Sequence, residues 1–264
     1  MGATSQSLLY RLWQAFYAGE PVSTVHAFSS MRGDPLGTSW QEGKAKMGLN
    51  KQKGNMYPWV THTYNVIKGK CPHDCSYCYM KVYNLPELHI DRKELKVDLG
   101  EGNFIFVGSS CDMWAEIIPG VWIELVLGKC REHSNRYLFQ SKNPARFHSY
   151  CTVFPLHSVF GTTIESNRSE VGLAPIPYYR YKAMREMPGH KMVSIEPIMD
   201  FDLYTMVKWI QEIEPDFVSI GADSKGHHLP EPSSDKVDRL IEELSKLTVV
   251  KLKNNLKRLR GVNG

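Results

Sequence analysis

The stretch Cys71-Pro72-His73-Asp74-Cys75-Ser76-Tyr77-Cys78-Tyr79 decides how this chain is read. It sets three thiols at CxxxCxxC spacing, with an aromatic residue before the third, just after a β-rich run that ends in Gly69. Thiolate sulfur suits iron–sulfur clusters and zinc, and three thiolates in one loop can hold three irons of a [4Fe-4S] cluster while leaving the fourth iron open. Structural zinc wants a fourth protein ligand, commonly from a second CxxC or HxxxH pair. The sequence has no such pair, although His73 or Cys111 would supply one more ligand, so zinc stays as the lesser alternative. A disulfide framework fits worse, because six cysteines in 264 residues without a secretory signal do not resemble a small stapled domain.

Upstream of the loop, Trp59 to Ile67 is rich in Val, Thr and Tyr and reads as the first strand. From Gly19 to Asn55 the chain is rich in Gly, Ser, Pro and Lys and reads as a long loop. Leu8, Leu9, Leu12, Trp13 and Phe16 fall at helical spacing and predict a short amphipathic helix.

Downstream, apolar strand cores alternate with helical patterns. The strands are expected at 104–107, 137–140, 159–163, 192–196, 217–221 and 249–252. Helices are expected around Trp122–Val126, Leu203–Ile213 and Val237–Leu247. This alternation argues for parallel strands joined by right-handed crossovers. Nearly every strand ends in polar residues, among them Ser109-Ser110-Cys111-Asp112, Lys142-Asn143, Glu165-Ser166-Asn167, Glu196-Pro197 and Asp223-Ser224-Lys225. A barrel carries its chemistry at those ends. Lys142, Glu196 and Asp223 are therefore candidates for substrate contact, while Glu196 and Lys142 would equally suit a buried pair. Cys111 ends a strand and is read either as a hydrogen donor or as a buried apolar-like thiol; Cys130 and Cys151 read as packing residues, and His227-His228 as surface.

Hydrophobic residues make up 42% of the chain and charged residues 23%, the balance of a globular protein. No apolar run approaches the ~18 residues that span a bilayer, and no signal peptide is legible, so a cytoplasmic location is expected. Net charge is +4, with the basic residues concentrated at the two ends. Basic ends meeting on one face would attract nucleic acid; separate ends would simply be solvated.

The cysteine loop, together with the segments at 108–114, 140–146, 163–167, 194–197 and 219–223, resembles the radical S-adenosylmethionine (SAM) superfamily, in a phage-associated and bacterial branch distantly similar to spore photoproduct lyase. The resemblance covers about Trp59 to Asn255. It implies a partial (βα)6-type TIM-like barrel over residues 56–255, with an N-terminal extension over 1–55 and a basic C-terminal tail over 256–264. It implies that Cys71, Cys75 and Cys78 ligate a [4Fe-4S] cluster and that Tyr77 lies beside the adenine of SAM. Ser109, Ser110 and Asp112 occupy the place of a Gly-Gly-Glu stretch that contacts the SAM amino group, with Ser for Gly and Asp for Glu. Glu165 and Asn167 take the place of residues that contact its ribose or carboxylate. An enzyme of this kind cleaves SAM to a 5′-deoxyadenosyl radical, takes its electron from a donor such as flavodoxin or ferredoxin, and here would modify or repair a nucleic acid or nucleotide. A peptide or small metabolite is the alternative substrate, and a zinc- or cluster-stabilised nucleic-acid-binding protein the alternative class.

Overall fold

Short runs of β-branched and aromatic residues, broken by glycines and polar turns, build the sheet of this protein. The computed structural model describes residues 49–52, 56–168 and 172–261. The helix expected over 8–16 and most of the extension lie outside them. In chain order the strands are β1 (Asn50–Lys51), β2 (His62–Tyr64), β3 (Ile67–Lys68), β4 (His89–Ile90), β5 (Phe104–Val107), β6 (Arg136–Ser141), β7 (Ser158–Thr163), β8 (His190–Ile195), β9 (Phe217–Ile220) and β10 (Val249–Leu252). The helices are α1 (Gly120–Arg131), α2 (Pro177–Glu186), α3 (Leu203–Ile213) and α4 (Ser234–Ser245).

Eight strands form one sheet in the order β1-β2-β5-β6-β7-β8-β9-β10. β1 is antiparallel to β2, and every later pair is parallel. The architecture is thus mixed α/β on a mostly parallel sheet whose parallel strands follow chain order. Helices fill the crossovers from β5 to β6 and from β7 through to β10, while β6 reaches β7 through a 3-10 segment, Pro144–Tyr150.

Side chains alternate across a pleated strand. Ile105, Val107, Tyr137, Phe139, Phe160, Val193, Ile195, Val218 and Ile220 enter the large core that includes the helices. Their neighbours Phe106, Leu138, Val159 and Met192 form a separate small core with Tyr57 and Val60. Tyr57 stacks on Trp59 with ring centroids 4.7 Å apart, and its hydroxyl bonds Gln140 Oε1 at 3.0 Å and Ser194 Oγ at 2.8 Å. One face of the sheet carries the helices and the other is polar toward its strand ends.

Three features depart from the sequence reading. The first strand is shorter than Trp59–Ile67: the sheet takes only His62–Tyr64, and Ile67–Lys68 pairs instead with His89–Ile90 in a two-stranded ribbon. That ribbon closes residues 69–88 into a loop holding all three cysteines. α2 is marked in the sequence only by the Pro188-Gly189 stop that follows it, because Tyr178-Tyr179-Arg180-Tyr181-Lys182 shows no apolar stripe; it is held by Met184 in the core and by Tyr181 stacked on Trp209 at 4.9 Å. The expected basic tail is docked where described: Leu256 is buried, Arg258 pairs with Glu231, and Arg260 bonds Asp238. Its charge is largely spent within the protein rather than offered as a footprint. Among the described residues, no helix is long and apolar enough to cross a membrane.

Gly69 starts the closed loop at φ +106°, and a Cβ built there would lie 2.5 Å from the Glu87 carbonyl oxygen. Left-handed backbone strain alone costs about 1–3 kcal/mol, and the contact adds to it. Gly69→Ala should lower the unfolding free energy obtained from urea titration by at least that amount; a free energy equal to the parent's would mean that the β3–β4 closure is not as described.

Candidate active site

The cysteine loop is wound by its own backbone. Asp74 N bonds Cys71 O at 3.2 Å and Cys78 N bonds Cys75 O at 3.1 Å, before a 3-10 turn at Tyr79–Val82. Cys71, Cys75 and Cys78 all line one cavity of about 230 Å³, with Ser109, Ser110, Cys111, Asp112 and Lys142 in its wall. A second cavity of about 440 Å³ adjoins it, and Tyr77, Tyr79, Phe106, Ser109, Gln140 and Glu196 line both. The loop is also packed from outside: Leu173 N bonds His73 O at 2.7 Å, and a Cβ on Gly172 would come within 2.4 Å of that oxygen.

Asp112 ties this loop to the sheet. Its Oδ2 accepts from His73 Nε2 at 2.8 Å, Ser141 Oγ at 2.9 Å and the Lys142 amide at 2.8 Å, and its Oδ1 from the Trp114 amide at 3.0 Å. Burial opposes its charge, yet His73 and these amides hold the carboxyl below its ordinary value. Asp112 also lines the cavity, where it was expected to receive an amino group, and among the described residues Oδ1 has the Trp114 amide as its one hydrogen-bond partner.

Glu165 is 1% exposed and sits between two cations, 2.9 Å from Lys142 Nζ and 2.8 Å from Arg180 Nη1. The Tyr77 hydroxyl donates to Glu165 and accepts from Lys142. Lys142 Nζ also lies 2.9 Å from Cys75 Sγ and 4.3 Å from the Tyr77 ring centroid. Burial works against the charge on Glu165, but Lys142 and Arg180 outweigh it and hold its carboxyl at about 2. Burial likewise works against the Lys142 ammonium, and Glu165 and Cys75 raise it regardless. The Glu196–Lys142 pairing is corrected: Lys142 pairs with Glu165, and Glu196 with Lys253 at 2.8 Å.

The thiols differ in character. A hydrogen bond from Cys111 brings Cys71 down to about 6 against burial. Burial pushes Cys75 up, opposed by Lys142. Cys111 is 2% exposed, and the neighbouring Cys71 together with burial pushes its thiol up.

Of the other expected residues, Ser109 and Ser110 line the cysteine cavity, their turn fixed by Asn65, whose Oδ1 accepts from Ser110 N at 3.0 Å. Asn167 is not brought to either cavity. Its amide exchanges two bonds with the Asp202 backbone, at 3.0 and 2.8 Å, and fixes the start of α3. Glu196 lies between the cavities, and Asp223 lines the larger one with His227 Nδ1 at 2.6 Å from its Oδ1. Sequence reasoning missed Arg180, which lies in a stretch without periodicity, and Lys253 as the partner of Glu196, although its place after a strand was a usable signal. Among the described residues, no three His, Cys, Asp or Glu side chains converge as a single metal ion requires.

No protein-family model matches the sequence, and no curated protein matches it. Among solved structures, a cysteine-to-alanine mutant of spore photoproduct lyase matches over 92% of this chain and 79% of its own, with TM-score 0.52 and 13% identity. The chain shares its fold with spore photoproduct lyase. A double mutant of that lyase, with bound AdoMet and dinucleoside spore photoproduct, matches over 91% of this chain and 79% of its own, with TM-score 0.50 and 12% identity. The lyase complexed with dinucleoside spore photoproduct matches over 74% and 64%, with TM-score 0.50 and 11% identity. At these identities the likeness is one of fold.

Removing the charge of Glu165 strands two buried cations, which costs about 3–5 kcal/mol when one partner of a buried pair is lost. Glu165→Gln should lose stability of that order in urea titrations at neutral pH. The folded carboxyl is depressed, so its contribution is complete above the unfolded value of 4.5 and disappears as pH falls toward about 2. Parent and variant stabilities should therefore converge across that window, and a gap that stays constant down to pH 2 would contradict the assigned network.

Proposed function

We propose that this protein is a radical SAM enzyme in which Cys71, Cys75 and Cys78 hold a [4Fe-4S] cluster. The observation that carries the reading is that all three thiols of the CxxxCxxC loop line one cavity in a protein with the spore photoproduct lyase fold. The donor set fits such a group. It is all sulfur, its three residues line one cavity, and one of its members accepts a hydrogen bond from a lysine. With SAM bound, the cluster supplies a 5′-deoxyadenosyl radical. The chain's own residues then position and enclose: Asp112 ties the cysteine loop to the end of β6, Asn65 fixes the Ser109-Ser110 wall, and Tyr77 and Phe106 form aromatic sides that separate the chemistry from water.

The finer fold reading is a partial barrel of the (βα)6 type. It is supported by the unbroken chain order of the parallel strands and by the two distinct cores on opposite faces of the sheet. The cavities then lie at the C-terminal ends of the strands, where barrels keep their chemistry.

The substrate reading is a nucleic acid or nucleotide, lodged in the larger cavity. It draws on the dinucleoside photoproduct that spore photoproduct lyase holds, and on Tyr79 and Phe106 in the wall, since aromatic faces accept stacked bases. Gln140, Ser194, Glu196 and Asp223 supply hydrogen-bonding groups there. A one-electron donor of the flavodoxin or ferredoxin type is the partner this chemistry needs.

Protein reconstituted with iron and sulfide without oxygen, then given SAM and dithionite, should release 5′-deoxyadenosine, and Cys75→Ala should release none. A wild type that makes none while holding one zinc would remove the enzyme reading. Single-stranded oligonucleotide should raise the yield above the uncoupled level; an unchanged yield would remove nucleic acid as substrate while leaving the radical chemistry in place.

A further inference from the structure

Lys142 touches a thiol of the cysteine loop, and holding the loop in place does not by itself require that contact. Its ammonium lies 2.9 Å from Cys75 Sγ and 2.9 Å from Glu165 Oε1, with its side chain 13% exposed. A Lys–Glu pair alone would be nearly neutral toward a charge arriving at the loop. Arg180, 2% exposed and 2.8 Å from the other Glu165 oxygen, leaves the buried triad with a surplus positive charge. Arg180 is itself fixed by the Thr163 carbonyl at 3.0 Å, so the surplus cannot swing out to solvent.

We propose that Lys142 is a redox-tuning residue: its N–H···S bond to Cys75, backed by the Glu165–Arg180 pair, makes the cluster held by this loop easier to reduce. The inference rests on the cluster reading above. Reduction by a one-electron donor adds one negative charge to the thiolate-bound cluster and makes or breaks no bond. Hydrogen bonds to the sulfurs, together with local charge and burial, set the potential of such a centre. A cation held against one of its ligands stabilises the reduced form, and does so more strongly where water is excluded. Glu165 keeps Lys142 in place, and Arg180 offsets the charge that Glu165 would otherwise cancel.

The test uses the full chain, reconstituted with iron and sulfide and kept free of SAM so that cofactor binding cannot enter. Iron content and the electron paramagnetic resonance signal first establish loading. The cluster is then titrated in wild type, Lys142→Met, Lys142→Arg and Arg180→Met. Lys142→Met should show at least a tenfold lower reduced-to-oxidised ratio at a fixed potential, a shift of about 59 mV to more negative values for a one-electron couple. Lys142→Arg, which keeps charge and donor, should stay near the wild type, and Arg180→Met should shift in the same direction by less. In wild type labelled with ¹⁵N-lysine, electron–nuclear double resonance of the reduced cluster should show a nitrogen coupling. That second measurement decides the matter if Lys142→Met fails to load. A Lys142→Met potential equal to the wild type's, or no nitrogen coupling in the labelled wild type, overturns the proposal. Failure of the underlying reading looks different: the wild type itself then holds no four-iron cluster, and the tuning role falls with it.

Discussion

A carboxylate buried between two cations governs the mouth of this sheet. Glu165 is 1% exposed and binds Lys142, Arg180 and Tyr77 together. Burying charge is costly unless it is paired and hydrogen-bonded. The group is tolerated because each oxygen meets a cation and Tyr77 adds a donor. It also joins three separate parts of the chain: the cysteine loop through Tyr77, the end of β6 through Lys142, and α2 through Arg180. The sheet supplies the platform, and this network sets how the loop sits on it.

Asp112 does similar work on the other side of the loop. Its four donors come from the loop, from the end of β6 and from its own turn. Asp112 and Glu165 thus both meet polar groups of the protein itself. The side chains lining the cavities are mainly sulfur, hydroxyl, amide and aromatic, together with Lys142, Lys225 and the pairs His73–Asp112, Glu196–Lys253 and Asp223–His227. Such a lining gives directional hydrogen bonds and flat apolar faces with few uncompensated charges.

Much of the fold was legible because it is local. Phe104–Val107, Leu203–Ile213 and Val249–Leu252 carry their structure in their own periodicity, and the strands and helices there begin and end where the pattern does. The three cysteines were legible for the same reason, since their spacing lies within one loop. The ion pairs were not. Lys142 meets Glu165, and Glu196 meets Lys253, across strands that only the folded sheet brings together, and nothing in a neighbouring residue announces the partner. α2 shows only its Pro188-Gly189 stop because tyrosines and charges mask its buried side, and Arg180, its most consequential residue, looks like a surface arginine in the sequence. Asn167 was legible as polar and strand-terminal, but the sequence does not reveal that the Asp202 backbone would claim both ends of its amide.

The β3–β4 ribbon has a bearing on how the molecule comes together. It closes the cysteine loop through partners about twenty residues apart, Ile67 with Ile90 and Lys68 with His89, while Lys68 bridges Asp91 at 2.9 Å and Glu94 at 2.8 Å. Contacts over short chain separations form early because little chain entropy is lost in closing them. During synthesis from the N-terminus, the thiols can therefore be gathered while most of the sheet has yet to emerge. Asp112, Lys142, Glu165 and Arg180 arrive later, in that order, each adding a fastening to a loop already closed.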